Sequence, residues 1–114
     1  MNLMFRLEHQ ALYYPTYEYT KNEAGPKKIL VIGDSFFFGP LGKNFLSYTF
    51  GNGAFWYYNQ EEYILGSDPI SLNNINKKDR WEEHDIICIY LTDANLVKFG
   101  YGWIEEAYNV YIKK

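Results

Sequence analysis

The fold is decided by residues 28–35, which read Lys28-Ile29-Leu30-Val31-Ile32-Gly33-Asp34-Ser35. The four aliphatic residues follow one another without a polar interruption, a pattern typical of a strand buried on both faces of a parallel sheet. A glycine then permits a tight turn, and two polar residues follow before the next apolar stretch. We therefore expect a core strand that starts at residue 28 and carries polar side chains at its carboxyl end.

The remaining chain alternates between helical and strand patterns. The spacing predicts a helix over 41–50, which Gly51-Asn52-Gly53 ends, and then a strand over 54–58 and a loop over 59–70. A weak helix over 71–81, capped by Ser71, and a strand over 86–91 follow. The last element is a helix with Ile104, Ala107, Tyr108 and Tyr111 on one face and Glu105 and Glu106 on the opposite face. Such alternation implies parallel strands with right-handed crossovers, hence an α/β three-layer sandwich with a small parallel sheet. Residues 1–27 are expected to form an N-terminal arm and linker, and residues 28–114 the domain.

Composition excludes several classes of function. The chain has 114 residues and a formal net charge of −3, with no basic cluster of the kind that nucleic-acid binding requires. No apolar run approaches the length of a membrane span, and the charges within residues 1–10 do not fit a signal peptide. The single cysteine, Cys88, is expected to be a small buried hydrophobe, and no cluster has metal-ligand spacing. We expect no cofactor, no nucleic acid and no membrane span.

The polar residues that follow the strands are the candidates for chemistry, because ligands collect beyond the carboxyl ends of parallel strands. Three turns qualify: Gly33-Asp34-Ser35, the region of Asn59, and the turn Thr92-Asp93-Ala94-Asn95. A serine between a strand and a helix lies near free backbone N–H groups, which could hold an oxyanion during acyl transfer. The same serine could equally cap the following helix without any catalysis.

Residues 28–36, with Phe36 after the serine, resemble the first block of the SGNH/GDSL hydrolases, a superfamily of serine esterases, deacetylases and O-acetyltransferases. The resemblance implies that Ser35 is the nucleophile and that its own N–H forms part of the oxyanion hole. Asp34 would be mainly structural. Gly33 and Asn95 would be oxyanion or substrate contacts, and Asp93 and Asn59 would be polar contacts in the same crevice.

The pattern of residues 26–112 is similar to the C-terminal portion of one branch of that superfamily, the cell-envelope carbohydrate O-acetyltransferases. In this branch the Asp-x-His pair lies upstream of the serine, and the resemblance implies a chain that continues a longer protein, often periplasmic. The usual C-terminal Asp-x-x-His is absent, since no histidine follows Asp93, and Gly53 precedes the predicted second strand. His84 precedes the third strand, at the opposite edge of the sheet from the serine. His9 in the arm is then the remaining candidate base.

These observations predict a serine acyl-transfer domain that acts on an acylated carbohydrate or small ester, and we expect this domain to be incomplete by itself. The alternative is a non-catalytic binding or interaction module that keeps the fold and lacks the base. A phosphate-binding turn is disfavoured because the hydroxyl- and glycine-rich loop of such sites is missing. Aromatic residues make up 20% of the chain, and an exposed aromatic surface would favour a homo-oligomer.

Overall fold

The computed structural model of the chain describes residues 27–113, without the side chains of residues 47–49, 51 and 52. The strands are β1 Lys27–Gly33, β2 Gly51–Tyr57, β3 Glu61–Tyr63, β4 Ile70–Ser71 and β5 Ile86–Tyr90. The helices are α1 Phe38–Gly42, α2 Phe45–Phe50, α3 Lys77–Glu82 and α4 Trp103–Tyr111, with 3₁₀ segments at Ser35–Phe37, Leu72–Asn74 and Asp93–Gly102. The predicted arm lies outside the described residues, apart from Lys27.

The five strands form one mixed sheet in the order β4-β3-β2-β1-β5. The central strand β1 pairs in parallel with β2 on one side and with β5 on the other, as the alternation of the sequence predicted. The prediction of a purely parallel sheet is wrong, because β3 and β4 add to β2 as antiparallel strands. The protein is an α/β domain.

Strand β1 is buried on both faces, which confirms the interpretation of its aliphatic run. Ile29 and Val31 lie in a cluster with residues of α1 and α2 on one face of the sheet. Leu30 and Ile32 lie in a second cluster, which Trp81 of α3 joins on the other face. Helices therefore cover the sheet on both sides, an arrangement compatible with a three-layer α/β fold.

The prediction of a loop over residues 59–70 is wrong, since this segment contains β3 and leads into β4. The turn-forming residues Gly66, Ser67, Asp68 and Pro69 indicated a loop, but they only connect β3 to β4. Glu62 is buried, and its carboxylate accepts a hydrogen bond of 3.2 Å from the indole of Trp56 and lies 3.3 Å from the Arg80 guanidinium. Tertiary partners thus make a charged residue compatible with the interior.

The predicted helices are interrupted where the backbone demands a special conformation. The helix over 41–50 is split into α1 and α2 at Asn44, whose φ of 59° lies in the left-handed region. The segment 71–81 is also split: Ser71 caps only a 3₁₀ turn, and Asn76 caps α3 by accepting a hydrogen bond from the Asp79 N–H at 3.3 Å. Strand β2 begins at residue 51 rather than 54.

Helix α4 forms near its predicted position, but its inward face differs from the predicted one. Trp103 and Ala107 pack against the core cluster that contains Trp81. Ile104 and Tyr108, which we expected to share the face of Ala107, are 40% and 55% exposed. With Trp103 packed inward at the start of the helix, the face of α4 that contacts the core is shifted by one residue from the predicted face.

The parallel pairing brings together the turns that follow β1, β2 and β5, at the carboxyl ends of these strands. Gly33 is opposite Tyr57 in β2 and Tyr90 in β5, so the chain leaves all three strands at the same level. A Cβ atom at position 33 would overlap the backbone carbonyl of Tyr90, so glycine is required there by close packing of β1 against β5. The residues after these three strands therefore form one surface.

Candidate functional site

Ser35 lies at the carboxyl end of the central strand, where the 3₁₀ segment begins. The residue is exposed to solvent, in contrast to its buried neighbours Gly33 and Asp34. Among residues 27–113, neither its hydroxyl nor its backbone N–H has a hydrogen-bond partner. Ser35 does not cap the helix, since the side chain that caps this turn belongs to Asp34. Its hydroxyl is therefore free for another role.

Asp34 is fully buried and organises the turns around the serine. Its Oδ1 accepts a hydrogen bond of 3.1 Å from the Phe36 N–H. Its Oδ2 accepts hydrogen bonds of 2.7 Å and 3.0 Å from the Thr92 N–H and hydroxyl. A fourth bond, of 3.1 Å, comes from Nδ2 of Asn95. One carboxylate thus joins the end of β1 to the turn that follows β5.

The pKa of Asp34 reflects a competition between two effects. Burial raises it, because the charged form loses its hydration. The hydrogen bonds from Thr92, Asn95 and Phe36 outweigh burial and lower the pKa of Asp34 below its ordinary value. The group is therefore a carboxylate at neutral pH, and with four donors around it, it acts as an anchor for the two turns.

The Asn95 amide nitrogen donates to two oxygens of this network. Its Nδ2 lies 3.1 Å from Oδ2 of Asp34 and 3.3 Å from Oγ1 of Thr92, and these two oxygens are 3.0 Å apart. The Asn95 side chain is therefore held against both Asp34 and Thr92.

Two other predicted site residues, Gly33 and Asp93, form hydrogen bonds that do not involve the Asp34 carboxylate. The Gly33 carbonyl accepts a hydrogen bond of 2.9 Å from the Tyr58 N–H, which fixes the turn after β2 against β1. Asp93 is exposed, and its carboxylate accepts a bond of 2.8 Å from the N–H of Ala94 in its own turn. Asp93 therefore stabilises its loop locally, without a contact to Asp34.

Asn59 is buried, and it has a left-handed backbone with φ of 56°. Its Nδ2 donates to the Tyr101 carbonyl at 3.1 Å and to the Glu106 carboxylate at 3.3 Å. Its Oδ1 is buried without a partner in the part of the chain that the structure describes. Asn59 thus ties the turn after β2 to the segment before α4.

A cleft of about 450 Å³ opens beside this junction. Its lining combines aromatic, charged and amide side chains: Tyr58, Gln60, Lys98, Phe99, Tyr101 and Glu105, with Val97 and Gly102. Burial, with the neighbouring charges of Asp34 and Tyr58, raises the pKa of Tyr101 to about 12, so this phenol stays neutral. Its hydroxyl is buried without a partner among the described residues.

Thr92 and Tyr101 are site residues that the sequence analysis did not single out. Thr92 was noted only as part of a turn, and its close approach to Asp34 depends on the parallel pairing of β1 and β5. Tyr101 has a φ of 51° and follows Gly100, which also has a positive φ. This backbone conformation in the segment before α4 places Tyr101 near the end of β2. The sequence Gly-Tyr-Gly indicates an unusual backbone conformation, but it does not predict which strand this segment lies against.

No base for Ser35 is present among residues 27–113. His84 precedes β5 at the opposite edge of the sheet, as predicted, and its Nδ1 lies 2.6 Å from the Arg80 carbonyl, with which it closes the end of α3. His9 lies outside the described residues. Within the same range, no group of three or more histidine, cysteine or acidic side chains could hold a metal ion. No helix between residues 27 and 113 is long and apolar enough to cross a membrane.

Comparison with known proteins identifies no relative. No protein-family model, no curated protein and no solved structure matches this chain.

Proposed function

We propose that this chain carries the serine half of an SGNH-like acyl-transfer site that acts on an acylated carbohydrate or a small ester. The observation that carries the proposal is the combination at the end of β1. Ser35 is exposed there with its own N–H unpaired, and Asp34 beneath it holds the amide of Asn95 in place. A residue that served only as a helix cap would have its side chain on a backbone N–H, and here Asp34 fills that position.

In the proposed reaction, Oγ of Ser35 bonds to the carbonyl carbon of the ester, and the serine proton passes to a general base. The carbonyl oxygen becomes an oxyanion, which accepts hydrogen bonds from the Ser35 N–H and from the Asn95 amide. Collapse of this intermediate expels the alcohol, which takes the proton from the base. Water or a sugar hydroxyl then removes the acyl group from the serine.

The base must come from outside residues 27–113. Asp34 cannot serve, because both of its oxygens already accept hydrogen bonds. His84 lies at the far edge of the sheet, and a base must reach hydrogen-bond distance of the hydroxyl. The proposal therefore assigns this role to His9, or to an Asp-x-His segment upstream in a longer chain.

The cleft beside the turn after β2 supports a carbohydrate rather than a purely apolar acyl chain, and Tyr58, which lines it, donates its N–H to the Gly33 carbonyl at the end of β1. Three aromatic side chains, Tyr58, Phe99 and Tyr101, offer flat surfaces for the apolar face of a sugar ring. Gln60 and Lys98 add polar groups of the kind that fix the orientation of hydroxyl-rich ligands.

The second candidate is a binding module that uses the same cleft without catalysis. It is favoured by one observation, that no hydrogen-bond partner activates the Ser35 hydroxyl among the described residues. Such a module would bind the carbohydrate and leave its ester intact.

A fluorophosphonate probe distinguishes the two candidates, because it reacts only with an activated serine. We expect labelling of the purified chain that is lost in Ser35→Ala and in His9→Ala, and retained in Ser67→Ala, which removes another exposed serine. Labelling that survives Ser35→Ala would refute the assignment of the nucleophile. If the wild-type chain is not labelled, the enzyme proposal fails for this chain alone, and the binding module remains.

A further inference from the structure

Among residues 27–113, strand β5 forms an edge of the sheet and carries neither a charge nor a proline that would protect this edge. Its sequence, Ile86-Ile87-Cys88-Ile89-Tyr90, has no charge and no proline, and it pairs only with β1 among residues 27–113. The opposite edge is formed by β4, which is only two residues long. A long, uncharged edge strand is a template for pairing with another strand.

The backbone of β5 restricts what can cover it. A protein partner that pairs with the outer N–H and C=O groups of the strand must itself be extended, since only another strand satisfies them in a regular ladder. An apolar side chain or a helix would leave these groups unpaired. The occupant is therefore a strand.

We propose that β5 pairs antiparallel with β5 of a second copy of this chain, about a two-fold axis at Cys88. Cys88 is the central residue of the five-residue strand, so the axis places Ile86 opposite the partner copy's position 90 and Ile87 opposite position 89. The two copies together form a continuous ten-stranded sheet.

The exposure of the strand supports this register. Ile86 and Tyr90 at its two ends are both 39% exposed, and the axis places each of them opposite the other in the partner copy. In the proposed dimer, Ile86 of each copy packs against the tyrosine at position 90 of the other copy, and such pairs of aromatic and β-branched residues stabilise paired strands. Asp85, the nearest charge, falls opposite position 91, which is a leucine, so no like charges face each other along the strand.

Helix α4 adds apolar surface beside the strand. Gly100 lies between Ile89 of β5 and Ile104 of α4, so the exposed Ile104 borders the edge. Tyr108, which is one turn further along α4, is more than half exposed. Contacts of this kind enlarge an interface that strand pairing alone would leave small.

Two charge substitutions test both the dimer and its register. We expect the wild-type chain to sediment as a dimer at about 100 µM, within the range of weak specific complexes. Ile86→Lys and Tyr90→Glu should each raise the dimer dissociation constant roughly tenfold, because each places two charges on apolar partners. The double variant should restore the dimer, since each lysine at position 86 then faces a glutamate at position 90. Leu65→Lys adds the same charge at an exposed position near the other edge and should have no effect.

Cross-linking at Cys88 provides an independent readout of the register. Cα atoms of directly opposed residues are about 4.5–5.5 Å apart, which is within the range of a disulfide. Copper(II) phenanthroline should therefore oxidise the two thiols of a dimer to one interchain disulfide, which is absent in Cys88→Ser. The proposal is overturned by a wild-type chain that is monomeric at about 100 µM, or by a dimer that neither cross-links at Cys88 nor responds to the charge variants.

Discussion

The Asp34 network allows a sharp prediction about stability. Asp34→Asn keeps the shape of the side chain and removes its charge. With the amide oxygen at the position of Oδ2, three bonds from Thr92 and Asn95 persist with a neutral acceptor. The amide nitrogen then faces the Phe36 N–H, and the cap of the 3₁₀ turn is lost.

The magnitude follows from these four contacts. A hydrogen bond to a charged group contributes roughly 1 kcal/mol more than a neutral one, and loss of the cap costs about 1 kcal/mol. We expect the free energy of unfolding to fall by about 3–4 kcal/mol, a large part of the ~5–15 kcal/mol of a typical domain. Urea unfolding followed by tryptophan fluorescence measures the change.

Acid supplies a second readout of the same contact. The pKa of Asp34 is lowered in the folded state, so its stabilisation is present above the unfolded pKa of about 3.9 and is lost as the pH falls through the folded pKa. The difference between wild type and Asp34→Asn should therefore shrink below about pH 4.

Asp93→Asn is the matched control, since it makes the same chemical change in the next turn on an exposed residue. We expect its effect to be within about 0.5 kcal/mol. A loss of less than about 1 kcal/mol in Asp34→Asn, or a loss that persists unchanged in acid, would refute the role of Asp34 as a charged anchor.

Two further predictions test the packing that supports the site, and the first includes a control substitution. Gly33→Ala should destabilise the chain by about 2 kcal/mol or more, because its Cβ would overlap the Tyr90 carbonyl, whereas Gly39→Ala has open space around it and should stabilise slightly; thermal unfolding of both variants checks this. Glu62→Ala should cost about 1–3 kcal/mol, since it leaves the buried indole N–H of Trp56 without its acceptor, whereas Arg80 is partly exposed and keeps Glu83. A change no larger than that of Asp93→Asn would contradict this prediction.

Local pattern was sufficient for the two strands whose sequences are continuous apolar runs. The aliphatic run before Gly33 predicted β1, and the run after Asp85 predicted β5 to within one residue. The prediction from local pattern failed for β3, because Glu62 is a charged residue that is compatible with the interior only through its contacts with Trp56 and Arg80. The partners of a buried charge come from distant parts of the chain, so no window of sequence contains them.

The candidate site shows the same division. Ser35 and its position after a strand could be read from the sequence, and so could the polar turn that contains Asn95. The anchoring of Asn95 by Asp34 could not, since 61 residues separate them and only the pairing of β1 with β5 brings them together.

The sequence by itself determined the α/β class, the central strand and the serine at its end, because those depend on hydrophobic period and on turn residues that are close in the chain. The tertiary structure alone decided which polar groups meet beyond the carboxyl ends of the strands, that Asp34 rather than Ser35 caps the turn, and that β5 is an outer strand of the sheet within residues 27–113. The physical reason is that hydrogen bonds and strand order depend on distances between remote residues, which only the folded chain fixes.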